Sequence, residues 1–172
     1  MPPLPNSRRA AVLILLYPTA AGWTLPLTLR PETLSVHAGQ ISLPGGRIHT
    51  RELPEQAACR EFEEELGGSA AEFSLLGRLS PLFVYGSNFF VQPCVATTRE
   101  RPQLIPNPSE VERAVELPLS ELFNDARHGG HWIRRNGIRF RAPHLLWDGC
   151  RIWGATRMIL GELISVLRQW SA

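Results

Sequence analysis

Four glutamates crowd into five positions: Glu61, Glu63, Glu64 and Glu65. On a helix, at about 100° per residue, Glu61, Glu64 and Glu65 fall within an arc of about 100°, and Glu63 points elsewhere. Three clustered carboxylates repel one another, and without a cation at least one would have to hold its proton above the usual range. A hard divalent ion removes the conflict. An all-oxygen ligand set favours Mg²⁺ or Mn²⁺ over zinc, which recruits His or Cys. An isolated acidic helix face is ordinarily just solvated, or paired with a neighbour such as Arg51 or Arg60. The segment ahead of it changes that reading. Pro44-Gly45-Gly46 lacks side chains at two positions, so backbone there can approach a ligand closely, and the Gly46 carbonyl can complete a metal site.

These residues must be held by a helix and a loop, and the sequence supplies both. Pro54 suits a first helical turn and Gly67-Gly68 a stop, which predicts a helix over 54–66. Cys59, Phe62 and Leu66 share a face spaced for core packing, away from the carboxylates. Ahead of the loop, 9–17 and 23–30 read as a strand hairpin. Residues 10–17 follow Arg8-Arg9 in the outline of a short secretory leader, but their length and apolarity read as a buried first strand. Residues 31–46 read as a loop with a short extended piece near Gln40. Strands are expected over 72–79 and 88–97. The spacing Ser109-Glu110-Val111-Glu112 fits a capping box, so a short helix is expected there, with Glu110 as a favourable first-turn charge. A further short helical piece is expected over 117–123. Residues 131–134 and 137–147 pair around Asn136-Gly137, and a closing helix covers 154–170. One α/β layered domain spanning 1–172 is the expected architecture.

Composition narrows the function classes. The chain has 172 residues, 18 basic and 16 acidic, for a net charge of +2. That balance, without a Lys/Arg-rich run, argues against a nucleic-acid partner. No apolar run approaches a membrane span of about 20 residues. Three widely separated cysteines without a CxxC pair suggest neither zinc nor a disulfide framework, and fit a reducing, cytoplasmic compartment. The sequence leaves the oligomeric state open, a homodimer included.

The segment from Gly46 to Gly68 resembles the Nudix box: Gly46, five residues, Glu52, seven residues, Arg60-Glu61, Phe62, Glu63, Glu64-Glu65, Leu66, Gly67. All seven fixed positions agree, and only the final apolar place differs, with Gly68. The resemblance implies an α/β/α sandwich around a mixed sheet and hydrolysis of a nucleoside diphosphate linked to another group. It implies that Glu61, Glu64, Glu65 and the Gly46 carbonyl serve divalent ions. It also implies that Glu52 pairs with Arg60 to orient the loop, and it offers Glu110 a second reading as a general base outside the box.

Upstream, Leu27-Thr28-Leu29-Arg30 and His37-Ala38-Gly39-Gln40-Ile41-Ser42-Leu43-Pro44-Gly45-Gly46 are similar to the extra motif of the coenzyme A pyrophosphatase branch. The chain departs from it at Pro26, Pro31, Leu43 and Ser35, the last standing where the motif has arginine. Tyr85-Gly86, Val91–Pro93, Ser109–Val111 and Ile152–Thr156 continue the likeness. It implies coenzyme A or a derivative as substrate, with Arg30, His37 and Gln40 as candidate contacts. Two alternatives are another nucleoside diphosphate derivative, such as ADP-ribose, and a silent Nudix-fold binding module. The retained Glu61, Glu64 and Glu65 weigh against the module.

Overall fold

Residues 10–17 are apolar at nearly every position because both faces of the strand they form are covered. The computed structural model describes residues 6–32, 39–135 and 137–170. In it, β1 (Arg8–Thr19) and β2 (Gly22–Leu29) form the expected antiparallel hairpin, with Tyr17 opposite Thr24. On its other edge β1 pairs in parallel with β7 (Phe89–Thr97), from Arg8 opposite Phe89 to Leu16 opposite Thr97. The sheet continues through β3 (Ile41–Ser42) beyond β2 and β5 (Ser74–Arg78) beyond β7. Three further short strands join it: β4 (Gly45–Arg47) on β1, β6 (Leu82–Val84) on β7 and β8 (Arg113–Pro118) on β2.

One helix covers each face. The β1 side chains alternate: Ala11, Leu13, Leu15 and Tyr17 pack with Ala57, Ala58, Phe62 and Leu66 of α1 (Pro54–Leu66). Ala10, Ile14 and Leu16 pack in a second core with Ile159, Leu160, Leu163 and Ile164 of α2 (Gly154–Trp170). The expected α/β/α sandwich around a mixed sheet is therefore the observed fold, and α1 has the expected bounds. A separate sheet holds β9 (His128–Arg135), β10 (Ile138–Trp147) and β11 (Cys150–Trp153), with β9 and β10 paired as expected.

The helix expected from residue 109 is not formed. Asn107 takes over the turn: its carbonyl accepts from the Glu110 and Val111 amides, and its side-chain oxygen accepts from Ser109. The chain then enters β8, the Glu112 amide donating to the Leu29 carbonyl. The helical piece expected over 117–123 is shorter, a 3₁₀ turn over Leu119–Leu122.

Candidate active site

The glycine loop and the acidic helix meet because β4 runs beside β1 under α1. Gly46 pairs with Ala11, and a Cβ on Gly46 would run into the Glu61 carboxylate. One position earlier, Gly45 sits so close to β1 that a Cβ would strike the Ala11 carbonyl and the Val12 Cα. Its φ of 153° also lies where side chains are disfavoured. The backbone of β1 thus requires glycine at 45, the Glu61 carboxylate disfavours a side chain at 46, and the pair brings backbone against two carboxylates.

Glu65 is the buried one, only 4% exposed. Its carboxylate accepts from the Gly45 amide at 3.2 Å. Burial pushes its pKa up to about 8; the amide pulls the other way, and the charges of Glu61 and Glu110 add to the rise. Glu64 is half-exposed, and Glu61 is largely covered. Arg60 links this row. Its guanidinium donates to Glu52 at 2.8 and 3.2 Å, to Glu61 at 2.8 Å and to Glu64 at 3.1 Å. A fourth contact, to the Arg47 carbonyl at 3.0 Å, ties it to β4. Glu52 is held below the usual carboxylate range, at about 2, chiefly by its hydrogen bonds from Arg60. Its second oxygen also accepts from the His49 amide, which fixes the turn between β4 and α1. The expected Glu52–Arg60 pair is therefore formed.

Glu63 projects away from this row, as its helical phase requires, and accepts from the Ala70 amide at 2.6 Å. Arg30 stands at the other end of the site. Its backbone closes the loop after β2 through bonds with Gln40 and Gly39. The side chain is half-buried, its Nε is buried without a hydrogen-bond partner among the described residues, and its charge opposes the rise at Glu65. Gln40 adjoins Arg30 through that backbone bond. His37 and Ser35 lie outside the described residues. Glu110, expected either as a helix first-turn charge or as a general base outside the box, lies on the turn at Asn107, near enough to Glu65 for its charge to be felt there.

The donor set fits a hard divalent ion: carboxylates at Glu61, Glu64 and Glu65, a backbone carbonyl at Gly46, and a buried carboxylate whose proton a cation would displace. Among the described residues no three His, Cys, Asp or Glu side chains converge into a ready ligand cluster. The Arg60 guanidinium partners Glu61 and Glu64.

A family profile described as NUDIX domain matches residues 7–138. A Photorhabdus laumondii protein named Uncharacterized Nudix hydrolase NudL is 35% identical over 171 residues, covering 95% of this chain and 89% of that one. Among solved structures, the Nudix hydrolase RenU of M. smegmatis superposes with a TM-score of 0.58 at 24% identity, over 69% of this chain and 74% of the other. A MutT NUDIX hydrolase from Burkholderia pseudomallei superposes with a TM-score of 0.55 at 20% identity, over 91% and 97%. At those identities the two structures speak for the fold alone.

Proposed function

Because the chain belongs to the Nudix hydrolase family, we propose that it hydrolyses the diphosphate of coenzyme A or its derivatives to 3′,5′-ADP and 4′-phosphopantetheine. Nudix hydrolases act on small nucleoside diphosphate derivatives with divalent ions such as Mg²⁺ or Mn²⁺. Residues 1–172 are taken as one such domain. Glu61, Glu64, Glu65 and the Gly46 carbonyl would hold the ion, which supplies charge neutralisation on the diphosphate and a water of lowered pKa. Arg60 and Glu52 position the loop and the helix relative to one another. A cytoplasmic location accords with the three free cysteines, and among the described residues no helix is long and apolar enough to cross a membrane.

The observation that carries the substrate reading is Arg30. It closes the upstream motif, and its guanidinium lies near Glu65 with Nε unpartnered among the described residues. A guanidinium there suits a substrate phosphate. Gln40 and His37 are the further substrate contacts proposed.

The test is a screen with Mg²⁺ or Mn²⁺ against coenzyme A, acyl-coenzyme A, ADP-ribose and dinucleotides. The expected result is a kcat/KM for coenzyme A at least about tenfold above that for ADP-ribose, or ~1.4 kcal/mol. Arg30→Ala should cost coenzyme A more than ADP-ribose. Equal or better use of ADP-ribose would remove coenzyme A as the substrate and leave the family activity alone.

A further inference from the structure

β1 begins and β4 ends at the same corner of the sheet, and that corner holds an open cavity of about 610 Å³. Its walls are the start of β1 and the segment from Arg47 to Glu52. Arg8, Arg9, Arg47 and Arg51 are among its lining residues. Arg47 pairs with Ala10 and shares its face with Arg8, two residues along β1. Arg9 lies on the opposite face and accepts the Ile48 amide through its carbonyl. Arg51 arrives through the turn before α1, in the left-handed region at φ 67°.

The lining thus carries four arginines and one carboxylate, Glu52, and that carboxylate is already engaged by Arg60 and the His49 amide. Five arginines elsewhere in the chain are neutralised by carboxylates: Arg60, Arg78, Arg101, Arg113 and Arg127 are each ion-paired. Among the described residues no such pair involves Arg8, Arg9, Arg47 or Arg51; Arg8 instead donates to the Ser87 carbonyl and lies over the Phe89 ring. Unneutralised cations around one concavity repel each other until an anion enters, and guanidinium groups match phosphate oxygens in planar pairs. The volume lies in the range of small-molecule sites.

We propose that this cavity is a phosphate-binding site distinct from the carboxylate row of α1, taking a phosphate group that is not the one cleaved. The two sites share a wall. Arg60 bonds the Arg47 carbonyl and Glu52 on the cavity side, and Glu61 and Glu64 on the other. The phosphate comes either from the substrate, as a monoester remote from the diphosphate, or from a separate phosphorylated molecule.

Titration calorimetry of the metal-free protein with inorganic triphosphate tests the site directly. The expected result is an affinity at least about tenfold weaker in the double variant Arg47→Ala/Arg51→Ala, and unchanged in Arg139→Ala, whose arginine lies over Trp132 in the other sheet. Arg47→Lys/Arg51→Lys, which keeps the charge, should retain most of the affinity and guards against a folding artefact. Equal triphosphate affinity in wild type and the double alanine variant would overturn the proposal.

The source follows from KM values for coenzyme A and dephospho-coenzyme A, which differ by one phosphate. A rise confined to coenzyme A assigns the cavity to the substrate's own phosphate. Unchanged values for both, with triphosphate affinity lost, assign it to a separate molecule. An equal rise for both would put the reacting diphosphate itself in the cavity and overturn its separateness. If neither compound is hydrolysed, the coenzyme A reading fails while the titration still decides this one.

Discussion

The Glu65 carboxylate accepts the Gly45 amide at 3.2 Å, so the most buried charge of α1 is fastened to the strand that carries the glycine pair. Its pKa, raised from 4.5 to about 8 chiefly by burial, means that the fold holds this proton more tightly than the unfolded chain does. The stabilisation is full below about 4.5 and is lost as pH rises through about 8. Metal-free protein should therefore lose thermal stability between pH 5 and pH 8.5. Glu65→Gln should flatten that slope and unfold at a higher temperature than wild type at pH 8.5. Parallel slopes in the two proteins would contradict this account.

Hydrolysis should vanish on chelation and return with Mg²⁺ or Mn²⁺. Glu61→Gln, Glu64→Gln and Glu65→Gln should each lower kcat by at least about 10²-fold, since an ion contributes several kcal/mol to such a transition state. The Glu64–Arg60 contact is half-exposed and contributes at most about 1 kcal/mol, so Glu64→Gln should leave stability nearly unchanged. Steady-state kinetics beside thermal melts separates the two effects.

Glu63 offers the internal contrast. Its carboxylate anchors the Ala70 amide and takes no part in the Arg60 row. Glu63→Ala should keep kcat within about twofold and cost about 1 kcal/mol of stability, the net value of one hydrogen bond. A kcat loss equal to that of Glu64→Gln would show that the carboxylate row is wrongly assigned.

The two glycines should fail differently. In Gly46→Ala the new methyl meets the end of a side chain, Glu61, which can swing away, so kcat should fall with little change in melting temperature. In Gly45→Ala it meets the backbone of β1, which cannot, so the melting temperature itself should drop by several degrees. Differential scanning calorimetry of the pair reads this directly.

Arg60→Lys keeps a positive charge but loses the two-pronged grip on Glu52. Activity should fall at least about tenfold. Glu52, held at about 2 in the native protein, contributes stability that is full above about 4.5 and lost as pH falls through about 2. The lysine variant should lose part of that contribution at neutral pH, and its stability should fall less steeply on acidification, as followed by circular dichroism.

The sequence made α1 legible from its proline start, glycine stop and separated faces, and the β1–β2 hairpin from its apolar runs. The resemblance to the Nudix box likewise implied Glu52 with Arg60. β4 was not legible: three residues with two glycines carry no alternation, and only the closeness of β1 makes them a strand. β8 was masked by a capping-box spacing whose role Asn107 takes instead. Between a helix charge and a base Glu110 could not be decided for the same reason, because its approach to Glu65 depends on that turn. Arg60 stood beside Arg51 as a partner for the acidic face, but that it would bridge Glu61 and Glu64 was not legible, since a side chain that long selects among several partners only in three dimensions.

The parallel pairing of β1 with β7 has a consequence for biogenesis. Arg8 lies opposite Phe89, so the strand at the middle of the sheet waits for about eighty more residues before its second neighbour exists. Until then a long apolar strand has an open edge, the kind that invites association with other chains. Gly45 and Gly46 lean on that strand, so the carboxylate row cannot take its final form early. A ribosome-bound fragment ending near residue 80 should recruit chaperones and have no ion-binding capacity, with both properties reversing once Thr97 has cleared the exit tunnel.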